Sequence, residues 1–327
     1  MKPKVFVTRK IPREGIDILE KTCEVKVNPY NRVLTKDELM KEIKKIDGLL
    51  CLLTDTIDKE VLDEASDLKI ISNYAVGYNN IDVEEATKRK IMVTNTPGVL
   101  TDTTADLTWA LLMGIARRIV EADKFTREGK FKGWDPMLFL GSDVHHATLG
   151  IIGFGRIGKT VAKRAKGFEM KILYNDVQKA PKEVEKELEA EFVSLEKLLS
   201  TSDFVSIHTP LSPETHHLIG EKELRMMKKT SFLINVARGP IVDEKALVRA
   251  LKENWIAGAA LDVYENEPYL TSGLSELPNV ILVPHIGSAS IATRTKMATM
   301  AATNLVAGLN GKVPPNLVNK EVLAYLQ

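Results

Sequence analysis

Short apolar segments alternate with amphipathic stretches along the first hundred residues. Each apolar segment is four to six residues long and rich in Val, Ile and Leu, which is typical of a buried strand. The candidate strands cover residues 4–7, 24–27, 48–53, 69–73 and 91–94, and the helical patterns between them include residues 15–21, 35–45 and 59–65. Strands that alternate with helices in this way predict a parallel α/β sheet.

A second series of the same kind begins at Thr148. Its candidate strands cover residues 149–152, 171–175, 204–208, 232–236, 259–263 and 280–283, and helical stretches separate most of them. A turn cluster at residues 95–98, Asn-Thr-Pro-Gly, precedes a long apolar helix candidate at residues 101–118, and a further helix is predicted at 291–310. The pattern therefore predicts two α/β units, each built on a parallel sheet.

The charge balance narrows the classes of partner. The 327-residue chain has 45 Lys and Arg against 44 Asp and Glu, a net charge of +1. Nucleic acids and membrane surfaces attract clustered positive charge, so we expect neither as the main partner. No segment reaches the ~18 unbroken apolar residues of a membrane span. The two cysteines, Cys23 and Cys51, have neither metal-ligand nor redox spacing, so we expect a cytoplasmic protein without a bound metal.

A glycine-rich motif follows the first strand of the second series. Gly153, Gly155 and Gly158 form the pattern G-x-G-x-x-G, directly after that strand and at the start of a helical pattern. The first glycine permits a tight turn, the second lets the backbone approach a pyrophosphate, and the third lets the helix pack closely on the strand. The helix N-terminus, with Arg156 and Ile157 between the last two glycines, offers N–H groups to the phosphates. This context predicts a dinucleotide-binding domain.

An acidic residue at the end of the next strand bears on which dinucleotide binds. Asp176 lies 23 residues after Gly153, where a carboxylate accepts hydrogen bonds from the ribose hydroxyls of the adenosine. A carboxylate there repels a 2′-phosphate, and the next residue is Val177 rather than an arginine that would attract one. Lys179 lies close by. NAD is favoured, and NADP remains an alternative.

Three later strands are followed by side chains that can act on an anionic substrate. Arg238 follows the first, and a guanidinium binds a carboxylate through two parallel hydrogen bonds, although a surface arginine would show the same pattern. Asp262, Glu265 and Glu267 lie at the end of the second or just after it, and composition does not choose among them or exclude a solvated acidic loop. His285 follows the third, as a proton donor or a structural residue. Because ligands bind outside the carboxyl ends of parallel strands, we expect these strand ends to form one site.

The other five histidines show no comparable pattern. His145 with His146 and His216 with His217 are sequence neighbours, which is not the spacing of metal ligands, so we expect both pairs on loops or at the surface. We interpret His208, at the end of a candidate strand, as structural.

Taken together, these segments resemble the D-isomer-specific 2-hydroxyacid dehydrogenases, and within them the glyoxylate/hydroxypyruvate reductases. The matching segments span nearly the whole chain in the family's order: residues 73–82 (NYAVGYNNID), the glycine motif, 235–239 (NVARG), 262–268 (DVYENEP) and 284–289 (PHIGSA). Residues 293–294 (TR) and 304–305 (NL) are similar to the glyoxylate reductase branch.

The resemblance implies a reaction and catalytic roles. The reaction is reduction of a small 2-keto acid, glyoxylate or hydroxypyruvate, to the D-2-hydroxy acid by hydride transfer from NAD(P)H. His285 would protonate the keto oxygen, and Glu267 would orient His285 and favour its charged form. Arg238 would bind the substrate carboxylate and polarise the carbonyl. Backbone N–H groups of Val76 and Gly77 would also bind the carboxylate.

The resemblance also implies the rest of the site and the domain organisation. Leu53 would lie near the substrate. The positions that usually line the cofactor are Thr104, Thr209, Pro210, Val236, Ala237, Asp262 and Gly287. Both domains would be doubly wound parallel sheets: a flavodoxin-like substrate domain of residues 1–98 and 287–327, and a Rossmann cofactor domain of residues 99–286. Closure of the domains at hinges after Gly98 and Gly287 would exclude water.

Family members are commonly homodimers through the cofactor domain. Residues 104–139, with Trp109 and Trp134, either form such an interface or belong to the core. Phosphoglycerate dehydrogenase is the nearest rival enzyme, although it usually adds a regulatory domain and this sequence stops at Gln327. Formate dehydrogenase is a weaker rival. An NAD(H)-sensing protein similar to the corepressors of this fold would usually add long tails. One departure is that relatives commonly have a glycine within the stretch that here reads His-Ala-Thr at 146–148.

Overall fold

The computed structural model describes residues 2–325, which contain twelve β-strands and twelve α-helices. The strands are β1 (Lys4–Val7), β2 (Glu24–Val27), β3 (Gly48–Cys51), β4 (Ile70–Asn73), β5 (Met92–Thr94), β6 (Thr148–Ile152), β7 (Lys171–Asn175), β8 (Ala190–Phe192), β9 (Phe204–Ile207), β10 (Phe232–Asn235), β11 (Gly258–Leu261) and β12 (Val280–Leu282). The helices are α1 (Arg13–Thr22), α2 (Lys36–Ile43), α3 (Lys59–Asp63), α4 (Val83–Lys88), α5 (Thr101–Ala116), α6 (Ile119–Arg127), α7 (Arg156–Ala165), α8 (Lys182–Leu188), α9 (Leu195–Thr201), α10 (Glu221–Met226), α11 (Glu244–Lys252) and α12 (Ile291–Leu309). Within these described residues, no helix is both long and apolar enough to cross a membrane.

The first of two structural units contains the chain up to Leu100 and from Ser288 onward. Its five strands are all parallel, in the order β2-β1-β3-β4-β5, which is the flavodoxin-like order. Alternate strand residues face opposite sides of the sheet. Val5 and Val7 therefore pack in a core with α1 and α12, whereas Phe6 packs in a core with α2, α3 and α4. Helices on both faces make this a doubly wound sheet.

The second unit is Thr101–Gly287, with seven parallel strands in the order β12-β11-β10-β9-β6-β7-β8. Six of these strands have the Rossmann order, and β12 adds a seventh. Ile151 packs in a core with α5 and α7, and its neighbour Ile152 packs in a core with α9, α10 and α11. The order reverses between β6 and β9, so a ligand is expected outside the carboxyl ends of these two paired strands. The predicted fold class, a Rossmann sheet and a flavodoxin-like sheet, is confirmed.

Two predictions about individual elements were wrong. Strand β8 was missed because only Ala190 of its three residues is buried, so it has no apolar run to mark it. The helix predicted over residues 101–118 ends at Ala116, since Arg118 takes a left-handed conformation (φ +53°) and α6 starts after it. Residues 104–139, expected either to form an interface or to belong to the core, contain both buried and exposed side chains. Trp109 is buried and donates its indole N–H to the carbonyl of Val161 (3.2 Å), whereas Trp134 is 85% exposed.

The departure from the family before β6 lies in a turn. His146 has a φ of +60°, in the left-handed region that glycine adopts most readily. Its backbone N–H donates to the carbonyl of Phe168 (2.9 Å), and its ring lies 3.2 Å from a carboxylate oxygen of Glu169. These contacts hold His146 in a backbone conformation that glycine adopts at little energetic cost.

Candidate active site

The glycine-rich turn between β6 and α7 has no room for side chains at two of its three glycines. Gly153 has a φ of +91°, and a Cβ there would lie 2.6 Å from the backbone nitrogen of Thr209. A Cβ on Gly158 would lie 2.2 Å from the carbonyl oxygen of Gly153. Both distances are too short for any larger residue, so the turn is tight and the helix packs directly on the strand.

Gly155 lies next to open space instead, since a Cβ there would meet no atom within 4 Å. It precedes the ten-residue helix α7, whose first turn contains Arg156 and Ile157. The first N–H groups of a helix have no partner inside the helix, which favours a phosphate at this end. Nearby, the buried Oγ1 of Thr209 has no hydrogen-bond partner among residues 2–325. Open space, free N–H groups and an unpaired hydroxyl fit a dinucleotide pyrophosphate.

His208 is a neutral side chain at the end of β9. Burial lowers the pKa of His208 to about 3, so its ring carries no charge near neutral pH. Its Nε2 lies 2.8 Å from Oγ of Ser206, while its buried Nδ1 has no partner in the described part of the chain. An uncharged histidine bound to its own strand agrees with the structural interpretation.

Asp176 follows β7 and lies against the glycine turn. Its Oδ2 accepts a hydrogen bond from the backbone N–H of Phe154 (2.6 Å), one residue after Gly153. The ammonium of Lys179 lies 3.6 Å from a carboxylate oxygen of Glu185 and 6.0 Å from the ring centre of Phe192. The nearby positive charge is thus already paired, which fits an adenosine ribose without a 2′-phosphate.

Glu267 and His285 form a hydrogen-bonded pair after strands β11 and β12. Glu267 Oε2 lies 2.9 Å from His285 Nδ1, and its Oε1 accepts from the backbone N–H of Tyr264 (3.0 Å). Burial acts to raise the pKa of Glu267, but the hydrogen bond and positive charge of His285 hold it below its usual value. An ionised carboxylate only accepts, so His285 donates from Nδ1. Its Nε2 has no partner in residues 2–325 and can act on a substrate.

Arg238 begins the loop after β10 and is fixed by its neighbours. Asn235 donates its side-chain amide to the carbonyl of Arg238 (3.0 Å) and accepts from the N–H of Ala237 (3.0 Å). The guanidinium donates to the carbonyl of Ala237 (2.7 Å). Burial lowers the pKa of Arg238, and the negative charge of Glu267 opposes that shift. A largely buried guanidinium with most donors unused can bind a carboxylate.

The loops that carry Arg238 and Glu267 touch backbone to backbone. A Cβ on Gly239 would lie 1.8 Å from the carbonyl carbon of Tyr264, so no other residue fits at this position. The Tyr264 hydroxyl donates to the carbonyl of Val283 (2.9 Å), two residues before His285. The three strand ends therefore meet, as expected from the sequence.

Asp262 holds the chain that follows His285. Its two carboxylate oxygens accept from the N–H groups of Ile286 (2.6 Å) and Gly287 (2.8 Å). Burial raises the pKa of Asp262, although these amides and His285 act in the opposite direction. Thr104, at the start of α5, donates to the carbonyl of Gly287 (3.2 Å). Asp262 and Thr104, which are predicted to line the cofactor, hold the chain that follows His285.

The remaining predicted cofactor positions lie at the same edge of the sheet. Pro210 follows β9, and Val236 and Ala237 follow β10. These strands adjoin β6, whose carboxyl end leads into the glycine turn. Their contacts with a cofactor remain a prediction.

In the other unit, Val76 and Gly77 follow β4 with their N–H groups unused. The carbonyl of Val76 accepts from the side chain of Asn95 (2.8 Å), and that of Gly77 accepts from the side chain of Asn73 (2.8 Å). No hydrogen bond engages either N–H within residues 2–325. Two carbonyls held by asparagines and two free donors make a turn that can bind an anion.

Leu53 lies in a turn after β3 and is 37% exposed. Asp55 organises this turn, since its Oδ2 accepts from the N–H of Leu52 (2.8 Å) and from the hydroxyl of Thr8 (2.5 Å). Burial raises the pKa of Asp55. Asn80 donates to the carbonyls of Leu52 (3.1 Å) and Asp55 (3.0 Å). Sequence reasoning missed Asp55, because an acid in an apolar-to-turn transition carries no distinctive spacing.

The structure distinguishes the three acids after β11 by their partners. Asp262 accepts from backbone amides and Glu267 pairs with His285. Glu265 pairs with His217, at 2.8 Å between Oε1 and Nε2. His217 was expected on a loop or at the surface, and it lies in a loop. Its partner was not foreseen, because 48 residues separate the two.

Comparison with known proteins decides the family. The NAD binding domain of the D-isomer specific 2-hydroxyacid dehydrogenases matches residues 109–287. The chain belongs to this family. A glyoxylate reductase of Thermococcus gammatolerans is 56% identical, with 99% of this chain and 98% of that protein aligned. The dehydrogenase described here is thus an oxidoreductase, as predicted.

Solved structures give the same relationship. A glyoxylate reductase from Paecilomyes thermophila superposes with a TM-score of 0.86 at 32% identity, covering 98% of this chain and 99% of that one. An NADPH-dependent glyoxylate/hydroxypyruvate reductase from Sinorhizobium meliloti, in complex with NADP and malonate, gives 0.87 at 31% identity and 98% coverage of both chains. The prediction of a nicotinamide dinucleotide cofactor for this dehydrogenase is confirmed at the level of NAD(P).

Proposed function

We propose that this dehydrogenase reduces glyoxylate to glycolate, which is achiral, or hydroxypyruvate to the D-2-hydroxy acid. The observation that carries the proposal is the meeting of Arg238, Glu267 and His285 at adjacent strand ends, with the 2.9 Å pair between the last two. Relatives named glyoxylate reductase, 52–56% identical over nearly the full chain, support the choice of substrate.

The proposed mechanism needs one anion-binding group and one acid. Arg238 binds the carboxylate of the keto acid, and its charge polarises the adjacent carbonyl. The N–H groups of Val76 and Gly77 are proposed as further carboxylate ligands, and Leu53 as an apolar neighbour of the substrate. A bound nicotinamide dinucleotide would supply the hydride.

His285 completes the reduction as the proton donor. Glu267 accepts a hydrogen bond from Nδ1–H, so the protonated ring presents its Nε2 proton on the opposite side. As the carbonyl carbon gains a hydride, the electron pair of the C=O bond takes that proton and becomes the product hydroxyl. The ring is left neutral and regains a proton from water. The roles of Arg238, Glu267 and His285 are therefore those of carboxylate ligand, orienting base and general acid.

NAD is proposed as the preferred dinucleotide. Asp176 at the glycine turn would repel a 2′-phosphate, and Lys179 is paired with Glu185. Thr104, Arg156, Ile157, Thr209 and Gly287 are proposed to line the cofactor together with the glycines. Because a related reductase binds NADP, the preference for NADH over NADPH is measured in the test below.

We further propose the organisation around this reaction. Residues 1–98 with 287–327 form the substrate domain, and residues 99–286 form the cofactor domain. The protein is a homodimer, supported by the large apolar side chains exposed between residues 119 and 140: Ile119, Val120, Phe131, Trp134, Met137, Leu138 and Leu140. A reducing cytoplasmic setting fits its two free thiols, Cys23 and Cys51.

The test is NADH oxidation at 340 nm with glyoxylate and with hydroxypyruvate, each repeated with NADPH. We expect turnover with both keto acids, a higher kcat/KM with NADH, and D-glycerate as the product of hydroxypyruvate by chiral chromatography. Formation of L-glycerate would contradict the assigned stereochemistry. Tight NADH binding without turnover of either acid would instead favour an NAD(H) sensor.

A further inference from the structure

A second histidine–glutamate pair lies on the loop that carries Glu267. Glu265 Oε1 is 2.8 Å from His217 Nε2, and two residues later Glu267 Oε2 is 2.9 Å from His285 Nδ1. The two pairs have similar exposure, with side chains 36% and 21% exposed in the first and 27% and 31% in the second. Only the second pair has a role in the proposed reaction.

Both oxygens of Glu265 are engaged. The one that does not contact His217 accepts from the backbone N–H of Glu244 (3.3 Å), and the N–H of Glu265 donates back to a carboxylate oxygen of Glu244 (2.8 Å). Glu244 is 1% exposed, and its other oxygen accepts from the hydroxyl of Thr271 (2.6 Å). The acidic loop is thus tied at two points to the start of α11.

His217 also holds the segment that follows Arg238. Its backbone N–H donates to the carbonyl of Pro240 (2.8 Å), and Ile219 donates to the carbonyl of Ile241 (3.1 Å). Gly239 in this segment touches the backbone of Tyr264, next to Glu265. One residue, His217, therefore contacts the segment of Arg238 through its backbone and the loop of Glu267 through its ring.

Several acidic side chains lie close together around this loop. Asp262, Glu265 and Glu267 fall within six residues of the chain, and Glu244 contacts Glu265. Like charges held this close repel each other. His285 offsets the charge of Glu267, and His217 is the group that hydrogen-bonds Glu265 on the other side of the loop.

We propose that His217 and Glu265 are positioning residues that fix Arg238 relative to the Glu267–His285 pair. This inference rests on the proposed function, because the two groups it aligns are the carboxylate ligand and the acid system of that reaction. Neither His217 nor Glu265 touches the substrate. Their effect is on geometry, and a misplacement of about 1 Å can cost about 100-fold in rate.

The test compares three variants with the wild type. His217→Ala removes the ring, and His217→Gln keeps a side-chain N–H that can donate to Glu265. His146→Ala is the matched control, because His146 also has a positive φ (+60° against +52° for His217) and also lies near a glutamate, Glu169, at 3.2 Å. Circular dichroism and Tm establish that each variant is folded.

We expect His217→Ala to lower kcat/KM for glyoxylate by about 10- to 100-fold, through a higher KM and a lower kcat together. The Kd of NADH, followed by its fluorescence, should stay within about twofold, and His217→Gln should recover most of the lost activity. An activity of His217→Ala within about twofold of wild type would overturn the proposal. So would an equal loss in His146→Ala.

Two further measurements keep the inference testable if His217→Ala does not fold or the proposed reaction is absent. Glu265→Gln keeps the size of the side chain, but it cannot accept hydrogen bonds from both His217 and Glu244. It should therefore show the same combination of a higher KM and a lower kcat. Amide hydrogen exchange of residues 238–242 and 262–271 needs no turnover. Faster exchange in His217→Ala or Glu265→Gln, and not in His146→Ala, supports the proposed positioning role of His217 and Glu265. Unchanged protection in these segments contradicts it, whatever the substrate.

Discussion

Glu267 Oε2 and His285 Nδ1 lie 2.9 Å apart, and the second oxygen of Glu267 is held by the backbone N–H of Tyr264. With both oxygens engaged, the carboxylate cannot turn away from the imidazole. The ring orientation is therefore set by the loop after β11, and Nε2 is the ring nitrogen left for a substrate. This geometry suits the proposed role of Glu267, which is to orient a general acid.

The same pair makes a pH-dependent contribution to stability. Because His285 holds the pKa of Glu267 below its usual 4.5, the ionised form is favoured in the folded state. Its contribution is present above about pH 4.5 and is lost as the pH falls through the lower folded pKa. We expect the difference in unfolding free energy between wild type and Glu267→Gln to shrink between about pH 6 and about pH 3. Urea titrations across that range measure it, and a difference that grows with acidity would contradict the assignment.

Arg238 should be sensitive even to lysine. Arg238→Lys keeps the charge but loses the two parallel hydrogen bonds to a carboxylate, so KM for glyoxylate should rise by about 10- to 100-fold. The Kd of NADH should not change. Arg249→Lys is the control, since that exposed arginine pairs with Glu221 (2.7 Å) and lies 6.0 Å from the ring centre of Trp255, away from the candidate site. Equal KM values for Arg238→Lys and wild type would show that another group binds the carboxylate.

Asp176 should determine the choice of dinucleotide. Asp176→Ala removes an acceptor for the ribose hydroxyls and the negative charge that opposes a 2′-phosphate. KM for NADH should rise about tenfold, as expected for about one lost hydrogen bond, and the preference for NADH over NADPH should narrow. Lys179→Ala, which removes a lysine paired with Glu185, should leave both KM values near those of wild type. A loss of NADPH activity in Lys179→Ala would transfer the role to the lysine.

The exposed apolar segment should control association. Trp134 is 85% exposed, and Trp134→Glu places a charge where a second copy of the chain would pack. Sedimentation velocity should show a dimer for wild type and a shift toward monomer for the variant. Ile291→Glu is the control, because Ile291 is 91% exposed but belongs to the other unit. A wild type that sediments as a monomer at micromolar concentration would rule out the dimer.

Most of the fold was predictable because its strands are short apolar runs that end in turns. Strand β8 was not, since two of its three residues are exposed and it closes the edge of the sheet. The end of α5 was also missed, because the left-handed Arg118 has no sequence signature comparable to glycine. Local apolar patterns report burial, and these two features do not depend on burial.

The candidate site was predictable as a set of strand ends but not as a set of contacts. Composition left Glu265 and Glu267 equivalent, and only the resemblance to a family chose between them. In the structure, Glu267 pairs with His285 and Glu265 with His217. Which of the two glutamates faces His285 depends on how the loop after β11 packs against the backbone of Gly239. That contact joins segments that are far apart in the chain. No local pattern encodes that contact.

The most direct test of the account is His285→Ala. General acid catalysis contributes about 10²- to 10⁴-fold, so kcat for glyoxylate reduction with NADH should fall by that factor. The folded state, followed by Tm, and the Kd of NADH should remain near those of wild type. A folded His285→Ala protein that binds NADH and keeps near-normal kcat would contradict the central claim that His285 protonates the keto oxygen.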